Sequence, residues 1–130
     1  MTKWLFIVTS GLLLIGCSTP GKNMSLADQT ELDIPLYCEG EQQCKDLWER
    51  ATYYVSTNSR YKIQNVNDTL IETYSPTQSD THLAWKIIKK PLGGGKYHIQ
   101  TVAWCNNVFG CYPDSYEAML NAKRYMKEGL

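Results

Sequence analysis

An apolar run near the start of the chain ends at Cys17, and it limits which residues remain to form a folded core. The run extends from Trp4 to Gly16, is broken by two polar residues, and follows one positive charge at Lys3. A helix of that length is shorter than the roughly 20 residues that cross a hydrocarbon core, so a membrane-spanning helix is disfavoured. The polar segment 18–23 contains a proline and a glycine and ends the run. A basic residue, a short apolar core and a small residue are typical of a signal peptide.

The last residues of this run, Leu14-Ile15-Gly16-Cys17, resemble the lipobox of bacterial lipoproteins. The resemblance implies that residues 1–16 are a signal peptide, that cleavage occurs just before Cys17, and that acyl chains are attached to this cysteine. Two or three acyl chains hold a protein at a membrane far more tightly than one chain does. Lipoproteins of this kind with aspartate after the cysteine tend to stay in the inner membrane. Here Ser18 follows the cysteine, so the resemblance implies the outer membrane. The alternatives are an ordinary secretory signal with an unmodified Cys17, or a short transmembrane anchor.

The chain that follows the signal peptide has the size of one domain. The whole sequence has 13 Lys and Arg against 13 Asp and Glu, so losing Lys3 leaves a net charge near −1. This balance argues against a nucleic-acid partner, since proteins that bind nucleic acids carry a marked basic excess. Residues 17–36 have few apolar side chains to offset the entropy of ordering, and predict a flexible tether. The domain is predicted at residues 37–130.

Four further cysteines follow Cys17, and in an oxidising compartment they are expected to form two disulfide bonds. The short intervals favour pairing Cys38 with Cys44 and Cys105 with Cys111, and the second interval contains the Asn and Gly residues that a tight loop needs. The alternative is a bond between the two segments, which would join the first predicted helix to the sheet. The spacing lacks the Cys-x-x-Cys pairs of zinc sites, so no metal is expected.

Two segments have the periodicity of amphipathic helices. In the first, 41–57, apolar residues recur at steps of three and four, and acidic residues lie in the N-terminal half, where the helix dipole favours them. The second helix begins at Asp114, which can cap it together with Glu117, and ends near Gly129.

Between these helices, segments rich in β-branched and aromatic residues predict strands. The apolar residues of 60–74 change parity midway, which favours one long bulged strand, with two short strands around a tight turn as the alternative. The runs 82–90 and 96–105 are joined by a glycine-rich link and predict a hairpin. The order helix, three strands, helix predicts an α+β fold, in which a three-stranded antiparallel meander carries both helices on one face as a two-layer sandwich.

No residue pattern in the chain indicates catalysis. His82 and His98 are the two histidines, and both are expected to point to solvent without a carboxylate to orient them. Oxidised cysteines supply no thiolate nucleophile, and no serine lies in a Gly-x-Ser-x-Gly motif. The sequence leaves enzymatic activity undecided, favours a non-enzymatic role and suggests no cofactor.

Charge is distributed unevenly along the chain. The segment 28–49 contains seven acidic residues and one lysine, whereas 82–105 contains four lysines and no acid. Because aromatic side chains beside cations suit interfaces, the hairpin is a candidate interaction face for an anionic envelope component or an acidic protein surface. The candidate residues are Lys86, Lys89, Lys90, Lys96, Trp85, Tyr97 and Trp104. The alternative is that the charges complement one another within the fold or are solvated, and that the aromatic residues pack in the core.

These observations predict an envelope lipoprotein, held on the periplasmic side of the outer membrane by lipid on Cys17, whose domain binds a partner protein or another envelope component. In size and layout alone, the domain resembles small accessory lipoproteins of envelope assembly machines, and such a likeness indicates no shared function. The alternative is an envelope enzyme or a ligand-binding module with a pocket between the sheet and the helices.

Overall fold

The computed structural model describes residues 24–128 and 130. Its elements are α1 (Leu26–Asp33), β1 (Leu36–Glu39), α2 (Glu41–Asn58), β2 (Ile63–Val66), β3 (Leu70–Thr73), β4 (Ala84–Gly93), β5 (Lys96–Trp104) and α3 (Ser115–Lys127). The strands form one open antiparallel sheet in the order β1-β5-β4-β3-β2. The described residues are therefore α+β with three helices and five strands, and the predicted three-stranded meander with two helices is wrong. The predicted signal peptide and its acylation site, Cys17, lie outside the described residues.

The core lies between the sheet and the two longer helices, α2 and α3. Its principal side chains are Leu47, Ala51 and Val55 of α2, Ala118, Ala122 and Met126 of α3, and Ile71, Trp85, Ile87 and Ile99 of the sheet. For the residues of the two helices, the four-residue spacing along the sequence is the pattern that predicted their burial. The predicted bounds of the first amphipathic helix are confirmed to within one residue. The predicted cap of α3 is confirmed too, since Asp114 accepts hydrogen bonds from the backbone N–H groups of Tyr116 and Glu117.

The segment 60–74 forms two short strands, so the predicted long bulged strand is wrong. The side chain of Asn67 accepts hydrogen bonds from the backbone N–H groups of Thr69 (2.9 Å) and Leu70 (3.0 Å). An Asn side chain that binds the backbone two and three residues further on closes a turn and competes with strand pairing. β2 and β3 therefore pair with each other as a hairpin at this edge of the sheet.

β1 adds a strand at the opposite edge of the sheet, beside β5. Its side chains alternate between buried and exposed along Leu36–Glu39, as expected of a strand with one buried face. After β1 the chain turns at Gly40, where φ is +80°, a conformation that favours glycine. The Gly40 N–H donates to the carbonyl of Gly95 (2.9 Å), which fixes the start of α2 against the β4–β5 hairpin.

Both favoured cysteine pairs are present in the structure. Cys38 of β1 is bonded to Cys44 of α2, and Cys105 is bonded to Cys111 in the loop before α3. The first bond ties the edge strand to the helix that follows it, and the second closes a loop of its own. The alternative, a bond between the two segments, is not formed.

The second half of the predicted tether is structured, because it contains α1 and the start of β1. Ser25 caps α1, since its hydroxyl oxygen accepts a hydrogen bond from the Asp28 N–H (3.1 Å). None of the side chains in α1 is buried, so burial of apolar surface does not account for its position.

Two adjacent cations of α3 hold α1 in place. Lys123 is only 6% exposed, and its ammonium donates to the backbone carbonyls of Glu31 and Ile34 at the end of α1. These carbonyls lack partners within the helix and carry the negative end of its dipole. Arg124 pairs with Asp28 (2.5 Å) and Glu31 (2.7 Å) on the side of α1. The expectation of flexibility fails here because tertiary ion pairs order a segment that has little apolar surface.

Replacing Lys123 with Met is expected to lower the free energy of unfolding by about 2 kcal/mol, because the carbonyls of α1 lose a charged donor while the apolar stem is kept. Urea denaturation measures the change. Lys127, which is exposed in the same helix, provides the control, and Lys127→Met is expected to leave stability nearly unchanged. Equal stability of the two variants would contradict the role assigned to Lys123.

The attachment of α1 is also expected to depend on pH. Hydrogen bonds from Ser25 and then Arg124 lower the pKa of Asp28, and the hydrogen bond from Arg124 lowers the pKa of Glu31. A carboxylate with a lowered folded-state pKa stabilises the fold above its ordinary pKa, and this contribution is lost as the pH falls through the lowered value. Below about pH 4, the protection factors of the α1 amides, which are corrected for the intrinsic exchange rate at each pH, should therefore fall before those of the α2 amides do. Protection that is lost in both helices at one pH would refute this.

Candidate functional site

The structure divides the seven side chains of the predicted interaction face between the two sides of the sheet, because successive residues of a strand point to opposite faces. The open face of the sheet carries Lys86, Lys90, Lys96 and Trp104. The face that the helices cover carries Trp85, Lys89 and Tyr97. The seven residues therefore do not form one continuous surface.

Two of the four lysines pair with carboxylates of neighbouring strands. Lys86 lies 3.1 Å from Glu72 across β3 and β4, and Lys96 lies 3.1 Å from Glu39 across β1 and β5. Such exposed cross-strand pairs stabilise a sheet modestly. The uneven charge of the sequence is thus partly explained by complementarity within the fold.

Trp85 belongs to the core and not to an exposed face. Its side chain is 1% exposed, and its ring meets that of Tyr54 edge-on, with 5.7 Å between the ring centroids. Its indole N–H has no hydrogen-bond acceptor among the described residues. A side chain at this depth cannot contact a partner, so Trp85 is removed from the candidate site.

The two remaining residues on the helix side, Lys89 and Tyr97, meet Trp48 of α2 in a groove between α2 and the β4–β5 hairpin. The ammonium of Lys89 lies 5.1 Å from the centroid of the Trp48 ring and 5.4 Å from that of the Tyr97 ring. Both distances suit a cation–π interaction. Within residues 24–128, no carboxylate forms a salt bridge with Lys89. Its ammonium is therefore positioned by two rings and remains available to an anion.

The groove has a volume of about 610 Å³, which lies in the range of small-molecule sites. Charged side chains at its edges are Glu41, Lys45 and Glu49 of α2 and Asp68 of the β2–β3 turn. Lys45 and Glu49 are 4.0 Å apart, so part of this charge is internally balanced. The groove thus offers aromatic surface, one unpaired cation and several hydrogen-bond acceptors, which suits a polar ligand with an anionic group.

Contacts between distant segments hold the groove in shape. The indole N–H of Trp48 donates to the backbone carbonyl of Asn67 (2.9 Å), which fixes the ring against the β2–β3 turn. The contact between Gly40 and Gly95 sets the distance between α2 and the hairpin. The geometry of the site therefore depends on the same turns that give the sheet its two outer strands.

Sequence reasoning missed Trp48 and Asp68 as members of the site. Trp48 falls on the buried stripe of α2, and its ring is indeed 9% exposed, so the helical pattern marks it as a core residue. The Asn67-Asp68 dipeptide, typical of a turn, is the one signal that could have placed Asp68 at a loop tip opposite the helix.

His82 is oriented by Asp80, so the expectation that no carboxylate lies near a histidine is wrong. Oδ1 of Asp80 lies 2.6 Å from Nδ1 of His82 and also accepts a hydrogen bond from the His82 backbone N–H (3.0 Å). The hydroxyl of Tyr61 donates to Asp80, and this bond is the largest cause of the lowered pKa of Asp80, ahead of the bonds from His82. The Asp-x-His spacing was the sequence signal for this pair.

The Asp80 cluster holds a loop and does not face the groove. The oxygen of Tyr61 also accepts a hydrogen bond from the Thr77 N–H (3.2 Å), so the cluster ties the loop before β4 to the chain before β2. His82 is not among the residues that line the groove. His98 lies on the open face, where its ring centroid is 5.3 Å from that of Tyr37.

Comparison of the chain with protein-family models, with curated proteins and with solved structures finds no match in any of the three. Within the part of the chain that the structure describes, no helix has both the length and the apolar character needed to cross a bilayer.

Proposed function

We propose that this chain is a bacterial envelope lipoprotein, held at the outer membrane by acyl chains on Cys17, whose domain binds an anionic group of an envelope component or partner protein. The lipobox-like segment supports the anchor. The two cysteine pairs support an oxidising compartment, since such bonds rarely persist in the cytoplasm. Binding takes place in the groove between α2 and the β4–β5 hairpin.

The observation that carries the binding role is the environment of Lys89. Its ammonium lies between the rings of Trp48 and Tyr97 and has no carboxylate partner in the described residues. An anion that enters the groove forms a charge-assisted hydrogen bond in a partly desolvated site, where such bonds are stronger than at an open surface. The neighbouring carboxylates Glu41, Glu49 and Asp68 disfavour ligands that carry only negative charge, which adds selectivity.

The same groove favours a second candidate function, which is the binding of a small ligand between the helix and the sheet. Its volume of about 610 Å³ is sufficient for a small molecule with one anionic group. A partner protein would instead insert a side chain and cover the exposed rim at Lys45 and Glu49. The two candidates therefore differ in whether the outer surface of α2 is covered when the groove is occupied.

Replacing Cys17 with Ala is expected to abolish membrane attachment, because no thiol remains to carry acyl chains. Membrane flotation and incorporation of labelled palmitate measure the loss. Ser18→Asp, which keeps the cysteine, should retain the label and shift the protein towards the inner membrane. A Cys17→Ala protein that still floats with membranes and incorporates palmitate would disprove the anchor.

Replacing Lys89 with Gln is expected to weaken binding in the groove about tenfold, because a charged hydrogen bond of about 1.4 kcal/mol is lost. A photo-crosslinking residue in place of Lys45, at the rim of the groove, reports occupancy in living cells by adduct yield and adduct mass. Lys90→Gln, on the open face of the same strand, is the matched control and should leave the yield unchanged.

Protein adducts that fall with Lys89→Gln would support a partner protein. A small-molecule adduct with the same dependence would favour the second candidate. Adduct yields that respond equally to the substitutions at Lys89 and Lys90 would exclude the groove as the binding site.

A further inference from the structure

The loop closed by Cys105 and Cys111 presents a strongly apolar tip to solvent. Val108 is 95% exposed and Phe109 is 96% exposed, and Tyr112, just after the loop, is 80% exposed. Adjacent apolar side chains that are fully exposed mark an interaction site more often than scattered ones do. Side chains this exposed extend away from the domain, so the tip suits insertion into a partner.

The tip has a fixed conformation. The disulfide closes the loop, and the side chain of Asn107 donates to the carbonyl of Ser79 (2.9 Å). Within the tip, the Phe109 N–H donates to the side-chain oxygen of Asn107 (2.9 Å), and the Gly110 N–H donates to its carbonyl (3.3 Å). Since an unpaired N–H is costly in an apolar environment, these internal bonds allow the backbone of Phe109 and Gly110 to leave water.

Charged side chains are absent from this part of the sequence. No Asp, Glu, Lys or Arg occurs between Lys96 and Asp114. The tip therefore carries no ionised group of its own that would have to be desolvated, and Tyr112 beside it is of a type enriched at membrane–water interfaces. A protein partner for such a tip would need a matching apolar pocket, whereas a bilayer accepts any apolar tip that approaches it.

The chain enters the domain beside the start of α3, a few residues along the chain from the tip. Met24, where the described chain begins, lines one small cavity with Asp114 and Glu117 and another with Tyr116, all at the start of α3. Phe109 precedes Asp114 by five residues, so their Cα atoms lie within about 18 Å of each other. Cys17 precedes Met24 by seven residues, which reach at most about 25 Å. A bilayer that holds acyl chains on Cys17 is thus within reach of the tip.

We infer that the tip formed by Val108 and Phe109 is a second membrane contact, which inserts into the lipid interface beside the acyl anchor. The inference rests on the proposed anchoring through Cys17. Two side chains alone attach a protein weakly, but the anchor keeps the tip at a high local concentration near the bilayer. Two points of contact would fix the orientation of the domain, whereas one anchor leaves it free to rotate.

The test uses the full-length acylated protein in vesicles of phosphatidylethanolamine with phosphatidylglycerol. A photoreactive p-benzoylphenylalanine in place of Phe109 should form lipid adducts severalfold more often than the same residue in place of Tyr53, an exposed aromatic of α2. With the photoreactive residue in place of Val108, Phe109→Asp should reduce the adduct yield severalfold, and Phe109→Leu should retain it. Intact mass spectrometry of each preparation establishes acylation and the disulfides.

If acylated protein forms no more lipid adducts from position 109 than from position 53, the membrane contact is overturned. The proposed anchor at Cys17 is unaffected by that result. The same photoreactive variant is also crosslinked in living cells. If its adducts there contain a protein and no lipid, the membrane contact is overturned in favour of a protein partner. Protein that carries no acyl chain on Cys17 would instead refute the proposed function, and the second contact with it.

Discussion

The docking of α1 on α3 is the interaction on which the arrangement of this protein depends. The ammonium of Lys123 binds the last carbonyls of α1, and Arg124 binds its carboxylates. Two neighbouring residues thus satisfy both the backbone and the side chains of a helix that buries no side chain of its own. Because α1 is held there, the chain enters the domain beside the start of α3. That contact fixes where the segment that leads to Cys17 joins the folded domain.

The groove depends on a second set of contacts, at the two edges of the sheet. At one edge lies β1, which a disulfide joins to α2. At the other edge lies the β2–β3 hairpin, whose turn is held by the side chain of Asn67. Trp48 bridges from the helix to that hairpin through its indole N–H. Lys89 is the lysine that this arrangement places between two aromatic rings, while Lys86 and Lys96 are paired with carboxylates on the open face. Lys89 is therefore distinguished from the other lysines of the hairpin by its surroundings in the fold, which the sequence does not display.

The sequence predicted the elements whose structure depends on residues close to one another in the chain. The apolar stripe of α2, the cap of α3 at Asp114 and the glycine-rich link of the long hairpin each depend on residues close in sequence, and all three are found. The missed elements are fixed by distant partners. α1 lacks an apolar stripe and is held by α3 residues about 90 positions away, and β1 has four residues and requires β5 as its partner.

The site was predicted in part for the same reason. Lys89 and Tyr97 were identified by type, but alternation along β4 and β5 separates them from Lys86, Lys90 and Lys96. Two misses have local signals: the turn at Asn67 and the Asp80-x-His82 spacing both follow from side chains that bind nearby backbone or each other. The exposed tip at Phe109 has none, because exposure is a property of the assembled fold.

The most direct test of the account is the solution structure around Met24 in the full-length protein. Nuclear Overhauser effects between the methyl group of Met24 and the ring of Tyr116, together with helical chemical shifts for residues 26–33, are the predicted result. Random-coil shifts across 26–33 without contacts to α3 would contradict it. The ordered domain would then begin at β1. The proposed orientation at the membrane and the proposed proximity of the tip to Cys17 would both have to be abandoned.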